Sequence, residues 1–283
     1  MKEVKPPLFN WAELQRVNRP PMQRQQPGEE NRWDGHSYMY NRIASMEKIY
    51  TLNQINAFET LSTDTVLDCG CGPGRITVPM AKRAKSVTAM DSAEKMLDYC
   101  KENVAAEGLD NVNFKFLDFH DAEPGKNIEL HDIVVCSRSE GFSDLQKLSS
   151  LSKRLVAIVS WANAPCVPDI LYDIFVGTNG QSRLGGPPGD RRLGYNVMFN
   201  IVYDLGYEPN VHIVPDGFTQ TFLSYEEAYT EMRKLGQVDD DKLDRFKSNL
   251  NQWLTENEDG TVTFLRETRS VVIWWEVNPR NYY

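Results

Sequence analysis

Short apolar runs alternate with segments of helical periodicity through the middle of the chain. Five such runs are predicted to be strands, at residues 66–67, 87–90, 112–116, 133–135 and 155–159. Between them, apolar residues recur every three or four positions, which indicates amphipathic helices. Short strands that alternate with helices favour parallel βαβ units in a doubly wound α/β fold, with helices on both faces of one sheet.

The pattern extends beyond this core in both directions. Aromatic and aliphatic residues at helical spacing over 33–61 predict one or two N-terminal helices that lead into the sheet. A helix-like stretch at 196–205 leads into a sixth strand at 211–214, and 271–275 forms a seventh. We therefore expect a mostly parallel, seven-stranded sheet.

Three segments depart from the core pattern. Residues 1–30 contain five prolines and no apolar period, which predicts a flexible N-terminal arm before a domain at 31–283, although Phe9 and Trp11 leave docking open. Residues 162–195 are rich in proline and glycine. Residues 217–262 are charged and helical in pattern, which predicts a helical insertion before the last strand. Both are expected to be substrate-side insertions or a lid.

Composition narrows the class of protein. Hydrophobic residues make up 41% and charged residues 25%, which is typical of a globular chain. The formal net charge of −9 argues against bulk nucleic-acid binding through a basic face. Five cysteines without a regular framework suit a reducing compartment. No signal-like or membrane-spanning apolar segment is visible, so we expect a cytoplasmic protein that does not bind membranes.

The most informative stretch is V-L-D-C-G-C-G-P-G-R at 66–75. Gly70, Gly72 and Gly74 alternate between a strand and a helix, where they allow a tight turn and close approach of the backbone to a ligand. A dinucleotide fingerprint would require a third glycine at position 75, which is Arg75 here. The turn therefore disfavours a nicotinamide or flavin enzyme.

Aspartates end three successive predicted strands. Asp68 is placed to receive an ammonium group, and Asp91 is placed to accept hydrogen bonds from two ribose hydroxyls. Asp118 can accept from an adenine amino group while Phe119 covers the ring. Each aspartate alone could equally be a strand-end or turn residue. Together with the glycine turn, they favour a nucleoside-binding edge.

The chain resembles the class I S-adenosylmethionine-dependent methyltransferases. The motif at 66–75, with V-T-A-M-D-S at 87–92 and F-L-D-F at 116–119, has the order and spacing of that family, and the resemblance covers residues 33–161. It implies a Rossmann-like methyltransferase fold, S-adenosyl-L-methionine as cofactor and S-adenosyl-L-homocysteine as product. The cofactor-binding residues that it implies are Asp68, Gly70, Gly72, Gly74, Asp91, Ser92, Asp118, Phe119, Ser137 and Tyr40.

The expected activity is methyl transfer to a small-molecule acceptor by in-line displacement. Because the cofactor supplies the reactive sulfonium, the protein supplies orientation and a shielded pocket, and no catalytic residue can be assigned from the sequence. Two alternatives stay open: an aminopropyl-type transferase on the same fold, and a non-enzymatic cofactor-sensing or partner-binding module. A carboxylate-binding methionine end would argue against the first, and a closed acceptor chamber against the second.

Other polar residues give weaker signals. Cys69 and Cys71 lack a second cysteine or histidine pair nearby, so we expect no metal site. Arg138 is either a contact for an acidic substrate or a solvated loop residue. Trp161 is expected to pack beside the sheet or to face the substrate. An anion-binding lid or a solvated loop is expected at three further arginines, Arg183, Arg191 and Arg192.

Overall fold

The computed structural model describes residues 9–18, 31–162, 165–178 and 193–278. Its α-helices are α1 Trp11–Asn18, α2 Ser37–Ile55, α3 Thr77–Ala81, α4 Glu94–Ala106, α5 Leu145–Ser150, α6 Val167–Phe175, α7 Tyr195–Asp204, α8 Tyr225–Arg233 and α9 Leu243–Asn251. Its strands are β1 Thr65–Cys69, β2 Ser86–Asp91, β3 Val112–Phe116, β4 His131–Ser137, β5 Ser152–Trp161, β6 Asn210–Phe222, β7 Leu254–Glu256 and β8 Val262–Glu276. Among these helices, none combines the length and apolar character that crossing a membrane requires.

The strands form one mixed sheet in the order β3-β2-β1-β4-β5-β8-β6. The first five strands run parallel, whereas β8 lies antiparallel to both β5 and β6. The predicted doubly wound, mostly parallel α/β sheet is confirmed. The predicted strand number was wrong, because the described residues contain eight strands rather than seven.

The additional strand exists because β8 is much longer than the sequence pattern indicated. The prediction began this strand at residue 271, since Arg266, Glu267 and Arg269 interrupt the apolar run before it. In the structure β8 begins at Val262, and its first three residues pair with the three-residue strand β7.

Helices cover both faces of the sheet. On β4, Ile133 and Val135 pack on the side of Ile76 and Met80, which lie at α3, whereas Val134 packs on the side of α5 and α7. Central strands that are buried on both faces read as continuous apolar runs, which is why the sequence predicted them.

The strand order reverses beside β1, which has β2 on one side and β4 on the other. In open α/β sheets, such a reversal leaves a crevice at the carboxyl ends of the strands. Residues 70–74 follow β1 at this point, so the fold places the glycine turn at the crevice.

Helix α1 lies inside the segment that was predicted to be a flexible arm. Trp11 and Leu14 pack against the core, and the Gln15 side-chain amide donates to the Phe142 carbonyl over 2.9 Å. The sequence pattern missed this helix because it has only eight residues. Residues 1–8 and 19–30 lie outside the described residues, so the flexible arm stays a prediction there.

A second apolar cluster supports the last part of the chain. It joins α6, α8 and α9 to the start of α2 and to the outer halves of β6 and β8, through residues that include Ile43, Ile170, Phe175, Met232, Phe246 and Phe264. Helices α8 and α9 confirm a helical insertion before the last strand. Its predicted start at residue 217 was too early, because β6 continues to Phe222.

Two adjacent tryptophans of β8 provide a matched test of this packing. Trp275 is fully buried and its Nε1 donates to Ser149 Oγ over 3.1 Å, whereas the buried Nε1 of Trp274, on the opposite face, has no partner among the described residues. We expect Trp275→Phe to lower the free energy of unfolding by about 2 kcal/mol, since it removes packing and a hydrogen bond. Trp274→Phe should lower it by less than about 1 kcal/mol. Urea unfolding measures both, and equal losses would contradict this account.

Candidate functional site

A cavity of about 870 Å³ lies at the carboxyl ends of β1 to β5. Helix α2 covers it, and residues of α1 and α6 contribute to its walls. Cavities that hold drug-sized ligands span about 300–1,000 Å³. This cavity therefore has room for a nucleoside-sized ligand and a second small molecule.

The structure brings most of the predicted site residues together around this cavity. Nine of the ten line it: Tyr40, Asp68, Gly70, Gly72, Asp91, Ser92, Asp118, Phe119 and Ser137. The tenth, Gly74, is not among the lining residues. It has a φ of +89°, and a Cβ there would lie 2.7 Å from Cys100 Sγ, so this glycine allows α4 to pack against the turn.

The turn after β1 is held to the neighbouring strand by its own backbone. The amides of Gly70 and Cys71 both donate to the Met90 carbonyl, over 2.8 and 3.0 Å. Gly70 and Gly72 have φ values of +72° and +53°, a region that favours glycine. A Cβ at Gly70 would also overlap the Ser139 side chain. Because Gly70 and Gly72 have no side chains, the backbone of the turn borders the cavity directly.

Asp68 carries an unpartnered oxygen at the base of the cavity. Thr77 Oγ1 donates to Asp68 Oδ2 over 2.6 Å, whereas Oδ1 is buried and has no partner among the described residues. Burial raises the pKa of Asp68 to about 6. Because a buried, unsatisfied carboxylate oxygen is costly, this atom suits a cationic hydrogen-bond donor from a ligand.

The other two aspartates bind nearby backbone amides. Asp91 accepts from the Gly72 amide over 2.8 Å and from the Ala93 amide over 2.9 Å, and Asp118 accepts from the His120 amide over 2.7 Å. Each carboxylate therefore has the turn role that the sequence left open. Both also line the cavity, and an oxygen that accepts one hydrogen bond retains a second lone pair for a ligand.

The N-terminal segment is tied to the cofactor-side loops. Asn31 Nδ2 donates to the Ser92 carbonyl over 2.6 Å, and the Lys95 amide donates to Asp34 Oδ1 over 2.8 Å. Trp33 and Tyr40 meet edge to face with ring centroids 5.6 Å apart, and both line the cavity. These contacts anchor the cover formed by α2.

Sequence reasoning missed a buried ionic cluster beneath this cover. Arg138 donates from Nη1 to Glu47 over 2.7 Å and from Nη2 to Asp216 over 2.9 Å. Arg75 lies 3.4 Å from Glu47 and donates to Ser137 Oγ over 2.6 Å. Two acidic and two basic side chains thus meet where α2, β4 and β6 converge, although they lie far apart along the chain.

In both carboxylates of the cluster, neighbouring positive charges oppose the effect of burial on the pKa. Burial alone would raise the pKa of Glu47, but the positive charges of Arg138 and Arg75 lower it below its usual value. Burial and the neighbouring Glu47 raise the pKa of Asp216, which Arg138 opposes. Removing one partner of a buried ion pair leaves an uncompensated charge, so the four side chains depend on one another.

The sequence left two interpretations of Arg138 open, a contact for an acidic substrate and a solvated loop residue. In the structure it is instead a partly buried residue that is paired with carboxylates. It adopts a left-handed φ of +52°, and its guanidinium carbon lies 3.3 Å from the centroid of the Trp161 ring. Trp161 lines the cavity at the end of β5. The stack therefore forms part of the cavity wall.

The two predicted insertions differ in their relation to the cavity. Val167 and Pro168 of α6 line it, whereas none of the described lining residues comes from 217–262. That segment packs against α6 in the second apolar cluster instead. Arg183, Arg191 and Arg192 lie outside the described residues.

Part of this chain is similar to known proteins. Residues 66–158 match the family model described as a methyltransferase domain. A Haemophilus influenzae protein named only "Uncharacterized protein" is 23% identical over 87% of this chain and 89% of its own length. A 23S rRNA (uracil(1939)-C(5))-methyltransferase of Photobacterium angustum is 40% identical over 60 residues, which cover 21% of this chain and only 27% of that protein.

Two solved structures are similar to this chain at low sequence identity. Magnesium protoporphyrin IX methyltransferase from Synechocystis PCC 6803, with bound S-adenosylhomocysteine, has a TM-score of 0.42 at 14% identity and covers 89% of each chain. Precorrin-6y C5,15-methyltransferase from Geobacter metallireducens has a TM-score of 0.47 at 9% identity and covers 81% of this chain and 87% of its own.

The family model spans β1 to β5, the same strands whose carboxyl ends surround the cavity. The glycine turn, the three strand-end aspartates and the sheet order agree with that match. Residues 66–158 therefore form a methyltransferase domain, and this match supports the class I S-adenosylmethionine-dependent family, with S-adenosylmethionine as the cofactor.

Proposed function

We propose that this methyltransferase modifies a small-molecule acceptor inside the cavity beneath α2. The observation that carries the proposal is one cavity of about 870 Å³ that extends from the glycine turn to Trp161. The cofactor would occupy the part beside β1 to β3, and the acceptor would occupy the part between α2, β5 and α6. A covered space of this size suits a small molecule better than a polymer segment.

The cofactor-side residues suit the parts of S-adenosylmethionine. The unpartnered oxygen of Asp68 would accept from the α-ammonium group, and Asp91 would accept from the ribose hydroxyls. Asp118 and Phe119 would contact the adenine, whereas Ser92, Ser137 and Tyr40 would complete the walls. When bound, the cofactor supplies an electrophilic methyl group on its sulfonium. The protein's part is to orient the two molecules and to exclude water.

At the acceptor end, between α2, β5 and α6, the described lining offers little to act as a general base. It contains no histidine or lysine, and two arginines lower the pKa of Glu47, which makes this carboxylate a weak proton acceptor. Burial raises the pKa of Tyr40, so its hydroxyl stays protonated at neutral pH. These properties favour an acceptor that is nucleophilic without proton removal by the protein.

The partial relatives that act on rRNA do not favour an RNA acceptor here. The matched segment covers 27% of the Photobacterium angustum protein, so most of that protein has no counterpart in the alignment. This chain also has a net charge of −9, whereas binding to phosphate backbones depends on clustered Lys and Arg. Both facts support a small, non-polymeric acceptor.

Transfer of a labelled methyl group tests the proposed acceptor class. The enzyme is incubated with S-adenosylmethionine labelled in its methyl group, and with either a low-molecular-mass cell extract or purified total RNA. We expect label in new low-mass products and none in RNA above an enzyme-free control. Incorporation into RNA alone would contradict the proposal.

Asp91→Ala tests the proposed ribose contact. Losing charged hydrogen bonds worth about 1.5–3 kcal/mol should weaken S-adenosylhomocysteine binding by roughly 10- to 150-fold. Calorimetry measures the change, and the melting temperature shows whether the fold survives loss of the Gly72 and Ala93 contacts. The control is Asp98→Ala, an exposed carboxylate of α4, which should leave affinity unchanged. If the Asp91 variant bound S-adenosylhomocysteine as tightly as the wild-type protein, Asp91 would not be the ribose contact.

Asp68→Asn separates stability from cofactor binding. Because the folded-state pKa of about 6 lies above the ordinary value of 3.8, the free protein should lose stability as pH rises from about 4 to 6. The variant should lack that decline, since asparagine does not ionise and can still accept from Thr77. It should also bind S-adenosylmethionine at least about 10-fold more weakly at pH 8. Unchanged affinity would show that Asp68 does not meet the ammonium group.

A further inference from the structure

The acceptor end of the cavity has a chemistry of its own. We infer that it binds a flat, uncharged aromatic ring, which stacks on Trp161. This inference rests on the proposed function and specifies the acceptor class.

The Trp161 ring is held before any ligand arrives. Arg138 lies 3.3 Å from the ring centroid and covers one face, and Phe218 meets the ring at a centroid distance of 5.9 Å. The ring nevertheless lines the cavity, so an indole surface remains for a ligand. A surface whose rotamer is already fixed loses little entropy on binding, which strengthens the complex.

Arg138 is itself immobilised. Its two terminal nitrogens are bonded to Glu47, Asp216 and Ser270 Oγ, the last over 2.8 Å. The guanidinium plane therefore cannot turn away from the indole without breaking buried ion pairs. The ion pairs of Arg138 therefore also hold the Trp161 ring in place.

The surroundings of Trp161 favour a flat apolar ligand. Tyr40, Ile43, Val167 and Pro168 line the same end of the cavity. Their side chains present apolar surface to a ring that lies against the indole. Offset stacking and edge-to-face contacts stabilise aromatic pairs beyond the burial of area, and a saturated ring of equal size cannot make them.

The charges at this end argue against an ionic acceptor. A cation would be repelled by Arg138, which already occupies the cation–π position on Trp161. An anion would need a free positive charge. Among the described lining residues the cations are Arg16, Arg75 and Arg138, and each is paired with a carboxylate. An uncharged ring avoids both costs.

Three probes of similar size test the ring preference on the wild-type protein saturated with S-adenosylhomocysteine. They are 2-naphthol, its saturated counterpart decahydro-2-naphthol, and the anion 2-naphthoate. By calorimetry at pH 7, we expect 2-naphthol to bind roughly 3- to 10-fold more tightly than the saturated alcohol, and more tightly than the anion. Equal or reversed affinities, or no binding of 2-naphthol, would overturn the inference.

A second Arg–Trp stack provides the matched control. Arg266 lies 3.6 Å from the centroid of Trp253, which does not line the cavity. Trp161→Leu should remove the preference for 2-naphthol over the saturated alcohol, Trp161→Phe should keep it, and Trp253→Leu should leave it unchanged. If Trp161→Leu kept the preference, or Trp253→Leu removed it, the stacking site would not be Trp161.

Cofactor titrations distinguish the two proposals. S-adenosylhomocysteine binding by each variant shows that the variant is folded and that the cofactor side is intact. Normal cofactor binding without a preference for flat rings contradicts only the stacking site. Labelled methyl groups that appear in RNA contradict the proposed function itself, whatever the probes do.

Discussion

The buried ion pairs of Arg138 connect the cover of the cavity to the sheet. Glu47 belongs to α2, Asp216 to β6, and Arg138 follows β4, so one guanidinium joins three elements. Breaking a buried pair costs more than forming it gains, because the remaining charge is left without compensation. The position of α2 over the cavity, and the shape of the acceptor end, therefore depend on this cluster. Its strained left-handed backbone at Arg138 is maintained by the same contacts.

The cofactor side could be predicted because its signals are local in sequence. Gly70, Asp91 and Asp118 lie within fifty residues, and each stands at or just after the end of a strand that its apolar run identifies. Parallel strands bring their carboxyl ends to one edge of a sheet, so chain order alone places these residues together. The succession of strands and helices along this part of the chain could be predicted from the same apolar periodicity.

The acceptor side could not be predicted because its contacts are distant in sequence. Glu47 lies amid the apolar pattern of α2, and no local spacing relates it to Arg138 or Asp216. Arg75 carried a signal only as a missing glycine, and its role as a partner of Glu47 needed the fold. The same holds for β7, whose three residues gain a strand conformation only by pairing with β8. Burial and tertiary pairing overrode local propensity at these positions.

The two ends of the cavity differ in how their charges are balanced. At the cofactor end, Asp68 keeps a buried oxygen without a partner, and its raised pKa records the cost of an unpaired negative charge. At the acceptor end, Glu47 and Asp216 balance Arg75 and Arg138. A ligand that brings an ammonium group relieves the first site, whereas a charged ligand would disturb the second. In the proposed assignment, charge would therefore select the cofactor, and the shape and aromatic surface beside Trp161 would select the acceptor.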